Sequence, residues 1–277
     1  MAATYGILGK VTSWSGTFVA DLIGTSNSPA TFTLNQVVDT SDVTRFVTGS
    51  GGARIGRNIP GLKSWSGTIS CQLATPRIGN AGLVTYSSGY VANVKSFNIS
   101  LNADSTDTTV FASTDPTWKS FTPGIVRWSG SYETFLDSAT APHGAGMAAE
   151  PAAASFALVD DAGSTADKIL AGNVITQSLG ISVAPASIST ANYAFVGDDQ
   201  PTVTGTYVGG IMTDPGGGVY SITTPIAGAM VLQSYTSQTF SGSAFWTSIS
   251  FKCEVGQPIT VDINFQGTGP LTGPSGY

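Results

Sequence analysis

The sequence predicts an all-β protein: two β-sandwich or half-barrel units, in tandem or nested, with at most one or two short helices. Three observations carry that expectation. Of 277 residues, 34 are Gly and 14 Pro, and about a quarter are Ser or Thr, which suits short strands joined by turns. The periodic runs of Ala, Leu, Glu and Lys that long helices need are missing. The third observation is an internal duplication. Asp39-Thr-Ser-Asp42-Val-Thr44-Arg45-Phe46, a Gly-rich loop, Pro60-Gly61 and Trp65-Ser66-Gly67 form one copy. Asp104-Ser-Thr-Asp107-Thr-Thr109-Val-Phe111, a polar loop, Pro123-Gly124 and Trp128-Ser129-Gly130 form the other. The Asp blocks lie 65 residues apart and the Trp-Ser-Gly blocks 63 apart.

In chain order, Gly9–Val19 and Ala30–Val38 mix β-branched and aromatic residues with small polar ones and read as strands. The loop from Gly49 to Asn58 holds Gly51, Gly52, Arg54 and Arg57 and is expected to reach beyond its own unit. No Gly-Lys-Ser/Thr and no helical pattern follows it, so a phosphate cradle is not the reading. A glycine-led strand pattern then recurs at Gly89, Gly172 and Gly242. Its last two copies are offset by 70 and end in Phe195-Val-Gly197 and Phe265-Gln-Gly267. Alternation in Ile249–Val255 and Ile259–Phe265 is that of antiparallel strands with one buried face, and Gly256-Gln257 supplies the turn between them. The one candidate helical region is Asp137 to Ala154, interrupted by Pro142, Gly144, Gly146 and Pro151. The tail from Gly267 to Tyr277 is expected to lie loose unless a neighbour holds it. Opening blocks come first and second, closing blocks third and fourth. That order suggests a unit of 89–205 inserted into one built from 1–88 and 206–277.

Charge is scarce: 10% of residues are Asp, Glu, Lys or Arg, against about 25% in ordinary soluble domains. Either the chain buries much of its surface against other copies, or it is a secreted Ser/Thr-rich β protein. The net charge of −6 offers no basic stripe for nucleic acid. No transmembrane run is present, and the start at Met1 has neither the basic nor the apolar stretch of a signal peptide. Cys71 and Cys253 are too few for a disulfide framework, and each, in a strand-like run, is expected to be a buried free thiol.

Catalytic readings are weak. His143 is the sole histidine, and no Gly-x-Ser-x-Gly elbow exists. Glu133 with Asp137, Asp160-Asp161 and Asp198-Asp199 are the candidate carboxylate pairs, but acids beside turns are ordinarily solvated caps. The Asp39–Asp42 and Asp104–Asp107 blocks lack the alternating oxygen run and distal Glu of a calcium loop, and Asx-turns explain them more simply. The five tryptophans (Trp14, Trp65, Trp118, Trp128, Trp246) would make a sugar platform if exposed; their repeated context favours packing. No enzyme activity, cofactor or metal is expected.

The motif Asp107-Thr-Thr-x-Phe111…Trp118-Lys-x-Phe121-x-Pro123-Gly124-x-x-x-Trp128-Ser-Gly-Ser131-x-Glu-x-Phe135-x-Asp137 resembles the opening half of bacteriophage tail tube proteins. Ser241-Gly-x-Ala…Ser248-Ile-Ser-Phe…Gly256-x-Pro258…Phe265-Gln-Gly267-Thr-Gly269-Pro270-Leu271 resembles that family's closing half. The resemblance covers roughly two thirds of the chain. It implies subunits whose sheets join around a hollow ring, with rings stacked into a conduit for DNA. Its implied partners are further copies of the chain and other tail proteins such as sheath, tape measure or baseplate. Its implied location is the virion tail, assembled in the bacterial host cytoplasm. Most members carry one such unit and form six-fold rings; two units per chain would make three chains sufficient. The chain also departs from the family in having no family-type helix in its first copy. The residues expected at assembly contacts are Gly51, Gly52, Arg54, Arg57, Pro60, Trp65, Trp118, Pro123 and Trp128. The competing class is a secreted or surface β-sandwich that binds glycans.

Overall fold

The computed structural model describes residues 8–14, 30–42, 58–72, 82–86, 89–91, 94–110, 117–136, 151–158, 168–183, 185, 187–202, 227–234, 238–257 and 260–274. The described residues contain no helix and fold as a 13-stranded antiparallel sheet. Its strands are β1 (Leu8–Trp14), β2 (Ala30–Asp42), β3 (Asn58–Gln72), β4 (Gly82–Tyr86), β5 (Gly89–Val91), β6 (Val94–Asp107) and β7 (Phe121–Phe135). They continue with β8 (Ala152–Leu158), β9 (Lys168–Ser182), β10 (Thr190–Thr202), β11 (Gly228–Ser234), β12 (Thr239–Glu254) and β13 (Thr260–Thr272). The all-β class is therefore what the molecule has.

Period-two patterning puts one face of each strand into the core. Val261, Ile263 and Phe265 of β13 are buried while Asp262 and Asn264 face out, and Phe97, Ile99 and Leu101 of β6 are buried in the same way. The hydrogen-bonded order is β11-β1-β2-β3-β13-β12-β6-β7-β10-β9-β8-β4-β5, and β11 also pairs with β12. The strands β1, β2, β3, β13, β12 and β11 therefore close on themselves, which removes open edges where they meet. The rest of the sheet continues from β12. In this pairing β4 lies with β8 and β5, among the central strands, although 82–88 is expected with the chain ends.

The two sets of strands repeat each other's register. The β2–β3 pairing slips between Val38 and Thr40; the β6–β7 pairing slips between Ala103 and Ser105, the aligned positions. The β12–β13 pairing slips between Trp246 and Ser248, and β9–β10 slips where Thr176 and Ser178 align with them. Each set is pinned by a tryptophan. Trp65 is buried on Gly267 and Gly242, stacks edge-on with Phe265 at 6.0 Å, and donates its indole N–H to the Gly269 carbonyl at 3.0 Å. Trp128 repeats this on Gly197 and Gly172, with Phe195 at 5.8 Å and the Asp199 carbonyl at 2.9 Å. The receiving residues share a left-handed backbone, with φ of 72° at Gly269 and 83° at Asp199.

Three local expectations change. Ala152–Ala154, the end of the expected helical region, is strand β8, because pairing with β9 and β4 overrides alanine's preference; residues 137–150 lie outside the described residues. Gly89 does not lead a third copy of the Gly172 and Gly242 strands. It sits in the short β5, and β6 takes the place that β2 has beside β3. The tail is not loose over Gly267–Thr272, which extend β13 and pair with Ser241–Ala244. The turn at Gly256 is as expected: Gln257 N donates to the Glu254 carbonyl at 3.1 Å, and Gly256 has a φ of 78°.

Two predictions follow from this packing. A Cβ at Gly267 or Gly197 would land inside the indole it supports, so Gly267→Ala and Gly197→Ala should each cost about 1–3 kcal/mol, read as a fall in denaturation midpoint. Cys253 is buried, and loss of hydration pushes its thiol up to about 11. Folding stability should therefore be intact below the thiol's ordinary 9.0 and fall as pH rises toward about 11. Cys253→Ser should remove that dependence while costing about 1–3 kcal/mol for the buried hydroxyl.

Candidate functional site

The chemistry-bearing side chains do not converge. Glu133 is held by Lys95 at 3.0 Å, and Asp198 is exposed beside Asp199. Asp137, His143, Asp160 and Asp161 lie outside the described residues. No cluster of His, Cys, Asp or Glu able to hold a metal occurs among the described residues. Asp107 makes the Asx-turn expected of it. Its Oδ1 accepts the Thr109 hydroxyl at 2.6 Å and the Thr109 backbone N–H at 3.0 Å, and these bonds hold its carboxyl below the usual 3.8. Asp104 pairs with Arg127 at 2.9 Å and Asp39 with Lys119 at 2.7 Å. These carboxylates fasten strands and loops.

The expected assembly residues divide sharply. Gly51, Gly52, Arg54 and Arg57 lie outside the described residues. Pro60 is exposed opposite Thr40 in β3, and Pro123 is half-buried opposite Ser105 in β7. Trp65 and Trp128 are core residues, 1% and 3% exposed, so they pack strands and present no surface. Trp118 and Trp246 are buried too, so none of these four indoles offers a stacking face to a sugar.

Trp118 is the informative one. Over Thr117–Ser120 the segment before β7 lies on the β3 side of the same chain. Lys63 N donates to the Thr117 carbonyl and Lys119 N to the Lys63 carbonyl, both at 2.8 Å, so Trp118 forms a parallel bridge with Lys63. Gly269 N donates to the Lys119 carbonyl at 2.9 Å, and Phe121 N donates to the Thr268 hydroxyl at 2.9 Å. The Lys63 ammonium stands 5.5 Å from the Trp118 ring centre, a cation–π contact. The Asp39–Lys119 ion pair closes this latch, and its hydrogen bond raises the lysine above the usual 10.5.

Beside the latch runs a seam. The second half of β12, Ser248–Glu254, pairs with Asn102–Ser96 of β6 after its first half has paired with β11. The seam buries Phe251 and Cys253 beside Ile99 and Phe97. Val126, Arg127, Val196, Gly197, Asp199 and Pro201 line an open cleft of about 730 Å³ that also reaches Asn102 of the seam. Motif reading singled out none of the seam residues as contacts, because strand alternation marks buried faces and says nothing of which edge meets which. The aligned positions of β9 carried the available signal: Ile181-Ser-Val183 is as apolar as Phe251-Lys-Cys253.

No protein-family model matches the chain, and no curated protein matches its sequence.

The latch predicts a small and specific effect. Lys119→Ala should loosen the segment, red-shifting tryptophan emission, while costing less than about 1 kcal/mol because the pair is partly solvated. In the unaltered chain the pair should persist from neutral pH up to 10.5 and fail on the alkaline side as pH rises through the lysine's raised value. Fluorescence titrations of the two proteins, each compared with Trp118→Phe, check both points.

Proposed function

We propose that this chain is a structural subunit that polymerises into stacked rings, forming the hollow tail tube of a bacteriophage. The observation that carries the reading is the seam between β12 and β6, an edge-to-edge strand pairing between two sets of strands with matching register. Such a pairing extends a sheet by main-chain bonds alone and is repeatable from one copy to the next. The Asp, Pro-Gly and Trp-Ser-Gly blocks that resemble tail tube proteins support it, as does the low charge, which suits a surface buried on neighbours.

In this reading the chain holds two tube units, 89–205 inserted between 1–88 and 206–277, with β4 (Gly82–Tyr86) crossing over to pair with β8 of the inserted unit. If six units close a ring, three chains supply them, giving a trimer of six-fold appearance. A net charge of −6 suits a lumen that lets DNA phosphates pass without binding. The partners are further copies and tail components such as sheath, tape measure or baseplate. The place of assembly is the host cytoplasm, and no catalysis or cofactor is involved. A glycan-binding role would need an exposed aromatic platform, and Trp65, Trp118, Trp128 and Trp246 are all buried.

Negative-stain microscopy of the purified protein tests this directly. Rings or tubes with three chains per ring are expected. Monodisperse monomers at every concentration and ionic strength would reject the proposal, and six equivalent chains per ring would reject the two-unit layout.

A further inference from the structure

We infer that β9 of one chain pairs edge to edge with β2 of the next copy, repeating between chains the seam that β12 makes with β6 within one. The inference rests on the assembly reading above and names its contact. β12 uses Ser248–Glu254 to bind Ser96–Asn102, with Phe251 opposite Ile99 and Cys253 opposite Phe97. The aligned edge of β9 is Ser178–Val183, and β9 pairs with β8 only through Lys168–Val174. Beyond Val174 that edge has no strand partner among the described residues. The position aligned with β6 is β2, whose outer edge pairs with β1 only at Ala30 and Thr31. Beyond Thr31 that edge too has no strand partner among the described residues.

The side chains match the same template. Phe251 and Cys253 are 2% and 3% exposed in the internal seam, whereas their counterparts Ile181 and Val183 are 52% and 73% exposed. Transferring the register sets Ile181 opposite Leu34 and Val183 opposite Phe32, both half-buried and packed against the core. Neither edge carries a charge: 178–183 reads Ser-Leu-Gly-Ile-Ser-Val and 32–37 reads Phe-Thr-Leu-Asn-Gln-Val. An uncharged, apolar edge is one that chains ordinarily guard against pairing. Here neither edge is guarded by a charge, and their apolar positions fit each other.

A second observation points to the same partner. The cleft beside Val126 and Asp199 occupies, around Trp128, the place that Trp118 fills around Trp65. Among the described residues nothing bridges Val126 as Trp118 bridges Lys63. A copy seated on β9 by its β2 edge would border that cleft, as β6 and β7 border Trp118 in the internal case. The contact joins unlike surfaces head to tail, the type that closes into rings when the rotation allows.

The test pairs disruption with cross-linking. Ile181→Lys with Val183→Lys changes exposed positions, so the chain should keep its melting temperature and lose ring formation. Thr33→Cys with Ser182→Cys, aligned with the facing pair Asn98 and Lys252, should give covalent dimers and higher species on oxidation, and neither single variant should. Rings from the double-lysine variant, with no ladder from the double cysteine, would overturn the seam and leave the tube function standing. A wild-type chain that stays monomeric and never cross-links would overturn both. A β2 edge covered by its own chain would appear as a double-cysteine variant that forms rings yet gives no intermolecular disulfide, which also overturns it.

Discussion

Each indole in this protein has a seat made of backbone. Trp65 and Trp128 reach across their sheets to lie on glycines of two other strands, and each N–H finds a carbonyl on a left-handed residue. A buried indole N–H bond contributes about 1 kcal/mol, and the edge-on aromatic pair beside it about 0.5–1.5 kcal/mol. The larger consequence is geometric. The ring leaves no room for a Cβ at Gly267 or Gly197, so β3 is fixed relative to β13 and β12, and β7 relative to β10 and β9. Register slips at aligned positions follow from the same constraint, because a slip elsewhere would carry the glycine out from under the ring.

Fixing the registers also fixes the edges. Once β12 is held against β13, its second half has to leave β11, and it meets β6. Main-chain bonding needs no charge, which is consistent with a chain so poor in ionisable residues. The few ion pairs present do local work: Asp39 holds the segment that carries Trp118, and Asp104 braces Arg127 on the neighbouring strand.

The readings that held were those with a local cause. The turn at Gly256 needs a residue that accepts positive φ, and the Asx-turn at Asp107 needs only the Thr two residues on. The readings that changed depended on distant partners. Ala152–Ala154 reads as helix from composition and is strand because β9 and β4 flank it. Gly267–Thr272 reads as a loose tail, yet it is pinned by Trp65, Lys119 and β12. Trp118 was legible as a special residue, but its place on Lys63 was not, since nothing near it in the chain specifies that strand.

By itself the sequence determined the all-β class, the alternation that fills the core, and the paired Trp-Ser-Gly and Phe-x-Gly motifs at constant spacing. These are properties of single strands and turns, set by side-chain period and backbone preference over a few residues. The tertiary structure decided which strand lies beside which, that Trp65 and Trp128 are core anchors, and that Ile181 and Val183 remain exposed where Phe251 and Cys253 are covered. An edge offers the same N–H and C=O groups whatever its side chains. Its neighbour is chosen by the packing of the faces, which forms only when the whole sheet is in place.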